Sequence, residues 1–559
     1  MATEAGATKV SVGQYVLQRL HEAGAVYAFG VPGDYVIRLF EVAQQCHTAG
    51  LFSPSIVNCC NELNASYAAY GYSAVKGIGA LVVTYGVGEL SAINGVAGAF
   101  EEMHPVIVVS GAPRRDVEAS SVKLHHMWGP YRAPYDVYKH VTVAQAFLTD
   151  PVHVPAQVDG LVYECMKKRR PVFLSIPVDM IDEKVLGPTG PLVFAPLVAP
   201  ATNFAICEHV VRETVARLQT AKLPVFVVDA LVPRLQLEPL IAELLARAAG
   251  IPYAVTPLAK GAVPECSPLF LGVYHARWGT TEARKRVEAS DAVVVLGEVL
   301  MAMSTISPSV EEKSLIKLRE FSALVAGREL SPAPLEYILA KLAADAPVRR
   351  DCEPAPFMES DECHTALRPF VPARGALCLK RMWDLLGCFI TEDSVVIADV
   401  GTSVYCSMNL LLPKGTIYVG QVSYESIGFS LPAALGALLA GGPKKSVFVV
   451  IGDGAFQMVA QELSTIIRHE LKPFIFLVDN DGYTIERCII DGPFDNIAKW
   501  KYALLPAVFG AQEGFALDAR TEAELEAALA AMTAGTCSMV VAHVPPYDAP
   551  KNMQLSYAK

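Results

Sequence analysis

Two short stretches near the C-terminus combine residue types that could bind a metal ion and a phosphate. Asp453, between two glycines, follows the apolar run 447–451, and Asn480 follows a second apolar run at 473–478. A segment of helical character, residues 455–470, separates them. This order predicts a β-α-β unit. The carboxyl ends of its two parallel strands lie at the same sheet edge, where ligands of open α/β sheets bind.

The side chains at this edge define the chemistry that the unit could support. The oxygens of Asp453 and Asn480, together with a backbone carbonyl near Gly482, suit a hard divalent cation. The start of the following helix, at Ala455, suits a phosphate because its amide groups have no partner within the helix. We therefore predict a Mg²⁺-diphosphate site.

Length and composition restrict the class of protein. The chain has 559 residues, 52% of them hydrophobic and 18% charged, with a net charge of −11. The length predicts three or four domains at ~150 residues each, and the acidic balance without a basic stripe argues against a nucleic-acid partner. No apolar stretch reaches the ~18 residues of a membrane span, and residues 1–10 lack the features of a secretion signal. The thirteen cysteines contain no C-x-x-C pair, which favours free thiols and a cytoplasmic protein.

Alternating strand-like and helix-like runs predict three α/β domains, each with a doubly wound parallel sheet. We expect them at residues 1–187, 200–343 and 373–559. A proline-marked stretch at 187–200 and a proline- and charge-rich stretch at 344–372 are the predicted linkers. The middle domain contains no paired acid-base set or metal-spaced cluster, so we expect it to be a scaffold.

The sequence resembles a known family at several motifs. Gly452-Asp453-Gly454, followed after 25 residues by Asn480, is similar to the signature of thiamine diphosphate (ThDP) enzymes. The resemblance covers nearly the whole chain and narrows to the 2-oxo acid decarboxylases related to pyruvate, indolepyruvate and branched-chain decarboxylases. The other segments similar to motifs of this family are Gly30–Asp34, Asn61–Ala65, Tyr85–Ala92, Leu124–His126, Ser426–Phe429 and Tyr483–Glu486.

This resemblance implies a reaction and a set of catalytic residues. The reaction is the non-oxidative decarboxylation of a 2-oxo acid to an aldehyde and CO₂, through a carbanion and an enamine on ThDP, with Mg²⁺ as metal. In chain order, the first domain would bind the pyrimidine, the second would be the middle domain and the third would bind the diphosphate. Glu62 would hydrogen-bond the pyrimidine, His126 would donate a proton to substrate with His125 as its support, and Asp34 and Glu486 would complete the acid-base set.

The resemblance also implies which residues bind the cofactor and the substrate. Asp453, Asn480 and Gly482 would ligate Mg²⁺. The implied cofactor-binding residues are Glu62, Thr84, Thr402, Glu425, Ile427, Gly452, Asp453, Gly454, Ala455, Asn480, Gly482, Tyr483, Thr484 and Ile485. The side chains expected to line the substrate pocket are Val404, Tyr405, Ile485 and Ile489. An apolar pocket discriminates by only ~1–3 kcal/mol per methylene, so the choice among pyruvate, branched-chain and aromatic 2-oxo acids stays open.

The family holds the two ends of one cofactor with two subunits. The resemblance therefore implies a homodimer at minimum and a homotetramer as the dimer of dimers. Two alternatives remain. A carboligase of the acetolactate synthase type is disfavoured by the paired histidines and Glu486, since a ligase should avoid protonating the enamine. A nucleotide-binding or non-catalytic scaffold is disfavoured because no G-x-G-x-x-G opens any βαβ unit.

Three positions depart from the family pattern. Asp399 stands where relatives usually have a glutamate, so we expect a weaker local hydrogen bond. Tyr424-Glu425 replaces Trp-Gly; the carbonyl of Glu425 could still hold the pyrimidine amine, while its side chain either adds a carboxylate near the cofactor or turns to solvent. Residues 229–232 lack the regulatory cysteine of some yeast enzymes, which argues against activation through a thiol there.

Overall fold

A computed structural model provides the fold of the chain. Its strands form three sheets of six or seven strands and one two-stranded ribbon. Parts of both predicted linkers, residues 195–200, 350–356, 362 and 365–372, lie outside the described residues, so neither linker is tested. The structure describes residues 9–120, 122–194, 203–349, 357–361, 363–364, 375–442 and 445–557.

The N-terminal elements form a six-stranded parallel sheet. They are β1 Lys9–Ser11, α1 Val12–Glu22, β2 Tyr27–Gly30, α2 Ile37–Thr48, β3 Ser55–Asn58, α3 Glu62–Lys76, β4 Gly79–Val83, α4 Val87–Glu101, β5 Val106–Ala112, α5 Arg115–Glu118, α6 Ala133–Tyr138, β6 Gln145–Phe147, α7 Val154–Lys168, β7 Val172–Pro177 and β8 Lys184–Leu186. The strand order is β3-β2-β4-β5-β7-β6, and β1 pairs with β8 as the ribbon. Strands β4, β5 and β7 are buried along their whole length, as expected where helices cover both faces of a parallel sheet.

The middle elements form a seven-stranded sheet. They are α8 Phe204–Thr220, β9 Pro224–Val228, α9 Leu231–Arg234, α10 Glu238–Arg247, β10 Tyr253–Val255, β11 Phe270–Val273, α11 Thr281–Glu288, β12 Ala292–Leu296, β13 Leu315–Leu318, β14 Ala323–Val325, β15 Arg328–Leu330 and α12 Leu335–Asp345. The order is β11-β10-β9-β12-β13-β14-β15, with β14 and β15 antiparallel. Ala326 and Gly327, both at positive φ, form the two-residue turn that makes this edge a hairpin.

The C-terminal elements form a second six-stranded parallel sheet. They are α13 Leu379–Gly387, β16 Ser394–Ala398, α14 Thr402–Ser407, β17 Ile417–Gly420, α15 Ser430–Gly441, β18 Ser446–Gly452, α16 Asp453–Val459, α17 Glu462–Arg468, β19 Phe474–Asp479, α18 Thr484–Ile489, α19 Leu505–Val508, β20 Ala516–Ala519, α20 Glu522–Thr533, β21 Met539–His543 and α21 Lys551–Tyr557. The order is β17-β16-β18-β19-β21-β20. The parallel α/β architecture predicted from the sequence is confirmed, with two antiparallel strands added in the middle sheet.

The predicted β-α-β unit is present with one correction. The segment 455–470 is two helices, α16 and α17, instead of one. The buried carboxylate of Glu462, at the start of α17, accepts hydrogen bonds from the amide of Cys60 (3.1 Å) and the side chain of Asn64 (2.9 Å). This contact with the N-terminal domain lies outside the local pattern from which the single helix was predicted.

Helices α3 and α15 join the N-terminal and C-terminal sheets within one chain. A Cβ on Gly436 would lie 1.9 Å from the carbonyl oxygen of Ala68, and one on Gly71 would lie 2.0 Å from that of Ala433. Glycine at both positions therefore allows the two helices to touch through their backbones. Of the helices that the structure describes, none is long and apolar enough to cross a lipid bilayer.

Candidate functional site

A cavity of about 360 Å³ lies at the carboxyl edge of the C-terminal sheet. Segments that follow β16, β17, β18 and β19 form its walls, which is where a parallel sheet gathers its ligand-binding residues. The residues that line it are Val400, Gly401, Thr402, Tyr405, Glu425, Ile427, Gly452, Asp453, Gly454, Ala455, Asn480, Gly482, Tyr483, Thr484, Ile485, Glu486 and Ile489.

Asp453 is buried at the base of this cavity, with 1% of its surface exposed. Its Oδ1 accepts a hydrogen bond from the amide of Gly454 (2.8 Å), and its Oδ2 accepts one from the amide of Gly482 (3.0 Å). Burial raises the pKa of Asp453 to about 7, with a further contribution from the nearby Asp479 carboxylate. A cation bound beside a buried carboxylate of this kind would stabilise its charged form.

The amide of Asn480 completes a set of groups that fits a cation. One terminal atom of the amide lies 2.9 Å from the carbonyl oxygen of Gly482 and 3.1 Å from Asp453 Oδ1, and the other lies 2.8 Å from the Thr484 hydroxyl. With nitrogen in the first position, the amide donates to both oxygens. With oxygen in that position, three oxygens face one another, which is the donor set that Mg²⁺ prefers. The three residues therefore fit the predicted metal.

Arg487 fixes this turn from behind and was not predicted as a functional residue. Its guanidinium is buried and donates to the carbonyl oxygens of Asn480 (3.2 Å), Asp481 (2.5 Å) and Pro546 (3.2 Å) and to the side chain of Asn496 (3.1 Å). The forked guanidinium thus holds the carbonyls of Asn480 and Asp481, in the turn that contains the predicted metal ligands, at the same time. Arg487 lies in the last turn of α18, where a positive charge is favourable, so its type and position gave no signal of this role in the sequence.

Asp399 ties the segment after β16 to the segment that contains Ile427. Its carboxylate is fully buried and accepts hydrogen bonds from the amides of Val400 (2.9 Å), Gly428 (3.1 Å) and Ser430 (3.2 Å), and from the Ser430 hydroxyl (2.5 Å). Burial raises the pKa of Asp399 to about 6. The shorter side chain thus still makes local hydrogen bonds, because Asp399 reaches four donors. Ile427 is held in the cavity wall as a result.

Glu425 lies in the cavity wall in a left-handed backbone conformation, at φ 54°. Such a conformation costs a residue other than glycine about 1–3 kcal/mol. Glu425 lines the cavity and is also exposed to solvent, so both alternatives left open above stand. Partial removal from water raises the pKa of Glu425, and the carboxylates of Glu102 and Glu486 raise it further.

A second cluster lies at the carboxyl edge of the N-terminal sheet. Asp34 follows β2, and its Oδ2 contacts Nε2 of His125 in the segment between α5 and α6. The His125 and His126 rings lie 4.8 Å apart between centroids, and the Tyr35 ring stacks on His125 at 4.9 Å. The side chains of Asp34 and His125 are 51% and 60% exposed. Three of the four residues of the predicted acid-base set therefore lie together, with Asp34 and His125 open to solvent in a single chain.

Glu62 and Thr84 lie on the same edge as this cluster. Asn61 caps α3 by accepting a hydrogen bond from the amide of Asn64 (2.8 Å), which puts Glu62 in the first turn. The Glu62 carboxylate lies against Gly88, at the start of α4, as does the side chain of Thr84. The buried hydroxyl of Thr84 and Nδ1 of His126 have no hydrogen-bond partner among the described residues. Two polar atoms are thus available to a ligand on this edge.

The structure brings the predicted residues together in two separate groups. All the predicted cofactor residues from Thr402 to Ile485, and also Glu486, line the C-terminal cavity. The predicted N-terminal residues do not line it; they are Asp34, Glu62, Thr84, His125 and His126.

Among the predicted substrate-pocket residues, Tyr405, Ile485 and Ile489 line the cavity and Val404 does not. Val404 is 3% exposed and belongs to the hydrophobic core against which Ile485 packs. The structure therefore places Val404 behind the cavity wall, and its contact with the substrate stays a prediction. Successive residues of α14 point in different directions, so only some face the cavity.

Comparison with known proteins identifies the family. Three family models match the chain: the N-terminal, central and C-terminal domains of the thiamine pyrophosphate enzymes, at residues 10–129, 211–320 and 399–544. Thiamine pyrophosphate is another name for ThDP.

Similar proteins match over almost the full chain. The pyruvate decarboxylase of Aspergillus fumigatus is 33% identical over 523 residues, which are 90% of this chain and 88% of that protein. The alpha-keto-acid decarboxylase of Mycobacterium leprae is 34% identical over 548 residues, 97% of this chain and 94% of that protein. Pyruvate decarboxylase isozyme 1 of Saccharomyces cerevisiae is 31% identical over 562 residues, with 98% and 97% coverage. These matches establish that the chain belongs to the ThDP-dependent 2-oxo acid decarboxylase family.

Proposed function

We propose that this decarboxylase converts a 2-oxo acid to an aldehyde and CO₂ in a site that two subunits build together. The C-terminal cavity of one subunit would bind the cofactor, and the N-terminal cluster of a second subunit would close over it. The observation that carries this proposal is the separation of the two groups within one chain, where all the described residues that line the cavity fall between 400 and 489.

The chain's own residues fit the two ends of the cofactor. Asp453, Asn480 and Gly482 would hold the diphosphate through Mg²⁺, and Ile427 would support the space between the two rings. Glu62 would hydrogen-bond the pyrimidine from the second subunit. When bound, ThDP supplies the nucleophilic carbon that takes up the 2-oxo acid and accepts the electrons left by CO₂.

Proton transfer is the part of the reaction that the side chains must perform. A 2-oxo acid anion and one proton give an aldehyde and CO₂, so each turnover consumes a proton. Glu486, in the cavity, and His126, in the exposed cluster, would carry it. Asp34 contacts His125 and would orient that ring beside His126. Such general acids typically contribute ~10²–10⁴-fold to turnover.

The proposed assembly is a homodimer at minimum and a homotetramer as the complete form. Support comes from the exposure of Asp34 and His125, because charged groups that share a low-dielectric site shift one another's pKa and become effective acids. Every cysteine among the described residues is a free thiol, which supports the proposal of a cytoplasmic protein.

The substrate would contact Tyr405, Ile485 and Ile489. These side chains are apolar or aromatic, and Ile489 is half exposed, which supports a pocket that tolerates differences in substrate length. Pyruvate, branched-chain and aromatic 2-oxo acids are the proposed substrates.

The test is a substrate panel with purified protein, Mg²⁺ and ThDP. Pyruvate, 4-methyl-2-oxopentanoate and phenylpyruvate are supplied in turn, and aldehyde is measured. We expect aldehyde from at least one of them. Aldehyde from none would contradict the proposal, and acetolactate as the main product from pyruvate would favour the carboligase alternative.

A further inference from the structure

Three side chains of types that bind transition metals lie together at the edge of the N-terminal sheet. One ligand atom each of Asp34, His125 and His126 lies within 4.8 Å of the other two. Among the described residues, they are the only three histidine, cysteine or acidic side chains so arranged. Two imidazoles and one carboxylate suit Zn²⁺, whereas Mg²⁺ prefers oxygen ligands throughout. The two sheet edges therefore offer donor sets for different metals.

His126 is fixed in place by its backbone. It has a left-handed conformation, at φ 66°, and its carbonyl oxygen packs closely on the turn before α4, where a Cβ on Gly86 would lie 2.3 Å from it. Such a conformation persists only where the surroundings fix it, and it is common at ligand sites. The buried Nδ1 of His126 has no hydrogen-bond partner among the described residues. This ring therefore holds a nitrogen that a metal ion could use.

Tyr35 supplies the outer partner that metal-bound histidines usually have. Its hydroxyl lies 3.4 Å from Nδ1 of His125, and its ring stacks on the imidazole at 4.9 Å. Tyr35 is 6% exposed and packs against Tyr85, so its own position is fixed. A partner on one ring nitrogen orients the ring and leaves the other nitrogen to the metal. That other nitrogen is Nε2, which contacts the Asp34 carboxylate.

The Asp34 carboxylate keeps its charge for a cation. Its one ion pair among the described residues is with His125, so no described lysine or arginine neutralises it. Bonds from Zn²⁺ to nitrogen and oxygen are ~2.0–2.1 Å long, which places the ligand atoms of a tetrahedral site about 3.3 Å apart. The side chains of Asp34 and His125 are half or more exposed and have room to rotate, which closes the remaining gap.

We propose that Asp34, His125 and His126 form an inhibitory Zn²⁺ site. The ion lies between Oδ2 of Asp34 and Nε2 of His125 in place of a proton, and water takes the fourth position. The neutral His125 ring keeps its proton on Nδ1, toward Tyr35, and any proton that the ion displaces goes to solvent. The proposal rests on the proposed function, because bound Zn²⁺ inhibits by occupying the groups that would carry and orient the proton consumed in each turnover. A second subunit that closes over the cluster does not exclude the ion, since the substrate must reach the same groups.

Co²⁺ tests the binding without reference to turnover. It takes the same ligands as Zn²⁺, and it absorbs visible light far more strongly in tetrahedral than in octahedral coordination. The holoenzyme is saturated with Mg²⁺ and ThDP, and Co²⁺ is titrated in. We expect tetrahedral bands that saturate at one Co²⁺ per chain and that Zn²⁺ abolishes. Co²⁺ that replaced Mg²⁺ among oxygen ligands would be octahedral and would absorb only weakly.

Three variants and a matched control assign the bands. Asp34→Asn and His125→Asn each remove a ligand from an exposed position and should abolish the bands. Tyr35→Phe keeps the stacked ring but loses the hydroxyl, so Co²⁺ affinity should fall by about 10-fold, at the lower end of the ~10–100-fold cost of losing an outer partner. His153→Gln is the control. His153 and Asp150 are a similarly exposed pair, 3.9 Å apart, without a third ligand among the described residues, so the bands should be unchanged.

Inhibition is measured on the same holoenzyme. Zn²⁺ should stop aldehyde formation over the concentration range in which it displaces Co²⁺, and a chelator followed by fresh Mg²⁺ should restore turnover. Full turnover with Zn²⁺ bound would overturn the inhibitory role.

Three spectroscopic results would overturn the site itself. One is the absence of tetrahedral bands in wild type, and another is their persistence in Asp34→Asn and His125→Asn. The third is a sulfur-to-metal charge-transfer band, since the ion would then lie on an exposed thiol such as Cys60. A protein that shows the expected bands but makes no aldehyde from any 2-oxo acid would refute the proposed function and with it the inhibitory role, while the Zn²⁺ site itself would stand.

Discussion

The C-terminal cavity and the N-terminal cluster both lie at the carboxyl edge of a parallel sheet, yet they differ in how their polar groups are held. Asp453 and Asn480 are almost fully buried and bonded to the surrounding backbone. Asp34 and His125 contact each other with half or more of each side chain open to solvent. A buried set can hold a metal without further help, whereas an exposed acid-base set gains its electrostatic strength only when another surface excludes water. This contrast supports the proposed division into an anchoring half and a half that a second subunit would complete.

Removing the proposed metal ligand Asp453 should disrupt the anchoring half completely. Asp453→Ala is expected to abolish Mg²⁺-dependent ThDP binding, since it leaves Asn480 and one carbonyl as the only ligands. Titration calorimetry measures this directly. Asp34→Asn is the matched control from the other half and should bind cofactor normally. Unchanged affinity in Asp453→Ala would refute the metal role.

Glu486→Gln should separate catalysis from anchoring inside the cavity. The amide has the size of the carboxyl group but cannot donate an acidic proton, so turnover should fall by ~10²–10⁴-fold. The same calorimetric titration should give near wild-type cofactor affinity. Turnover close to wild type would remove Glu486 from the acid-base set.

The burial of Asp399, in the anchoring half, predicts that the stability of the fold depends on pH. Its pKa rises from 3.8 to about 6, so the folded chain holds this proton more tightly than the unfolded chain between these values. The stabilisation, about 3 kcal/mol, is fully present below pH ~4 and lost as the pH rises to about 6.

Asp399→Asn does not titrate and provides the reference for this effect. The difference in Tm between wild type and Asp399→Asn should therefore shift against wild type as the pH is raised from 4 to 7, and thermal scans at several pH values measure it. A difference that shifts in favour of wild type would show that burial does not control this carboxyl.

Arg487→Met should loosen the metal turn without removing a ligand. Loss of its bonds to the carbonyls of Asn480 and Asp481 is expected to weaken Mg²⁺ affinity by roughly 10–100-fold, the usual cost when a group that orients metal ligands is removed. At saturating Mg²⁺ and ThDP, kcat should change less. Arg487→Lys keeps the positive charge but loses the forked pair of donors, so its Mg²⁺ affinity should lie between those of wild type and Arg487→Met. Equal Mg²⁺ affinity in all three proteins would contradict the positioning role.

More of the anchoring half than of its surroundings could be predicted from the sequence. Asp453 and Asn480 follow apolar runs that local pattern identifies as strands, and the ends of neighbouring parallel strands meet wherever the sheet forms. The division between α16 and α17, by contrast, accompanies a contact of Glu462 with α3. The position of Arg487 depends on its hydrogen bonds to the carbonyls of Asn480, Asp481 and Pro546. Such contacts join distant segments, and no local periodicity encodes them.

The directions of side chains on short helices were the other feature that could not be predicted from the sequence. Val404 and Tyr405 are neighbours on α14, but only Tyr405 lines the cavity. A helix of six residues has too few turns for its hydrophobic pattern to define which face is buried.

Complementation between two inactive variants tests most directly whether the site joins two subunits. Asp34→Asn and Asp453→Ala are purified separately and also co-expressed, and decarboxylation is measured for each preparation. If the halves meet across subunits, a mixed dimer contains one intact site, so co-expression should restore about a quarter of wild-type turnover from random pairing. If each chain builds its own site, no chain has both intact halves, and the co-expressed protein would stay as inactive as the separate variants.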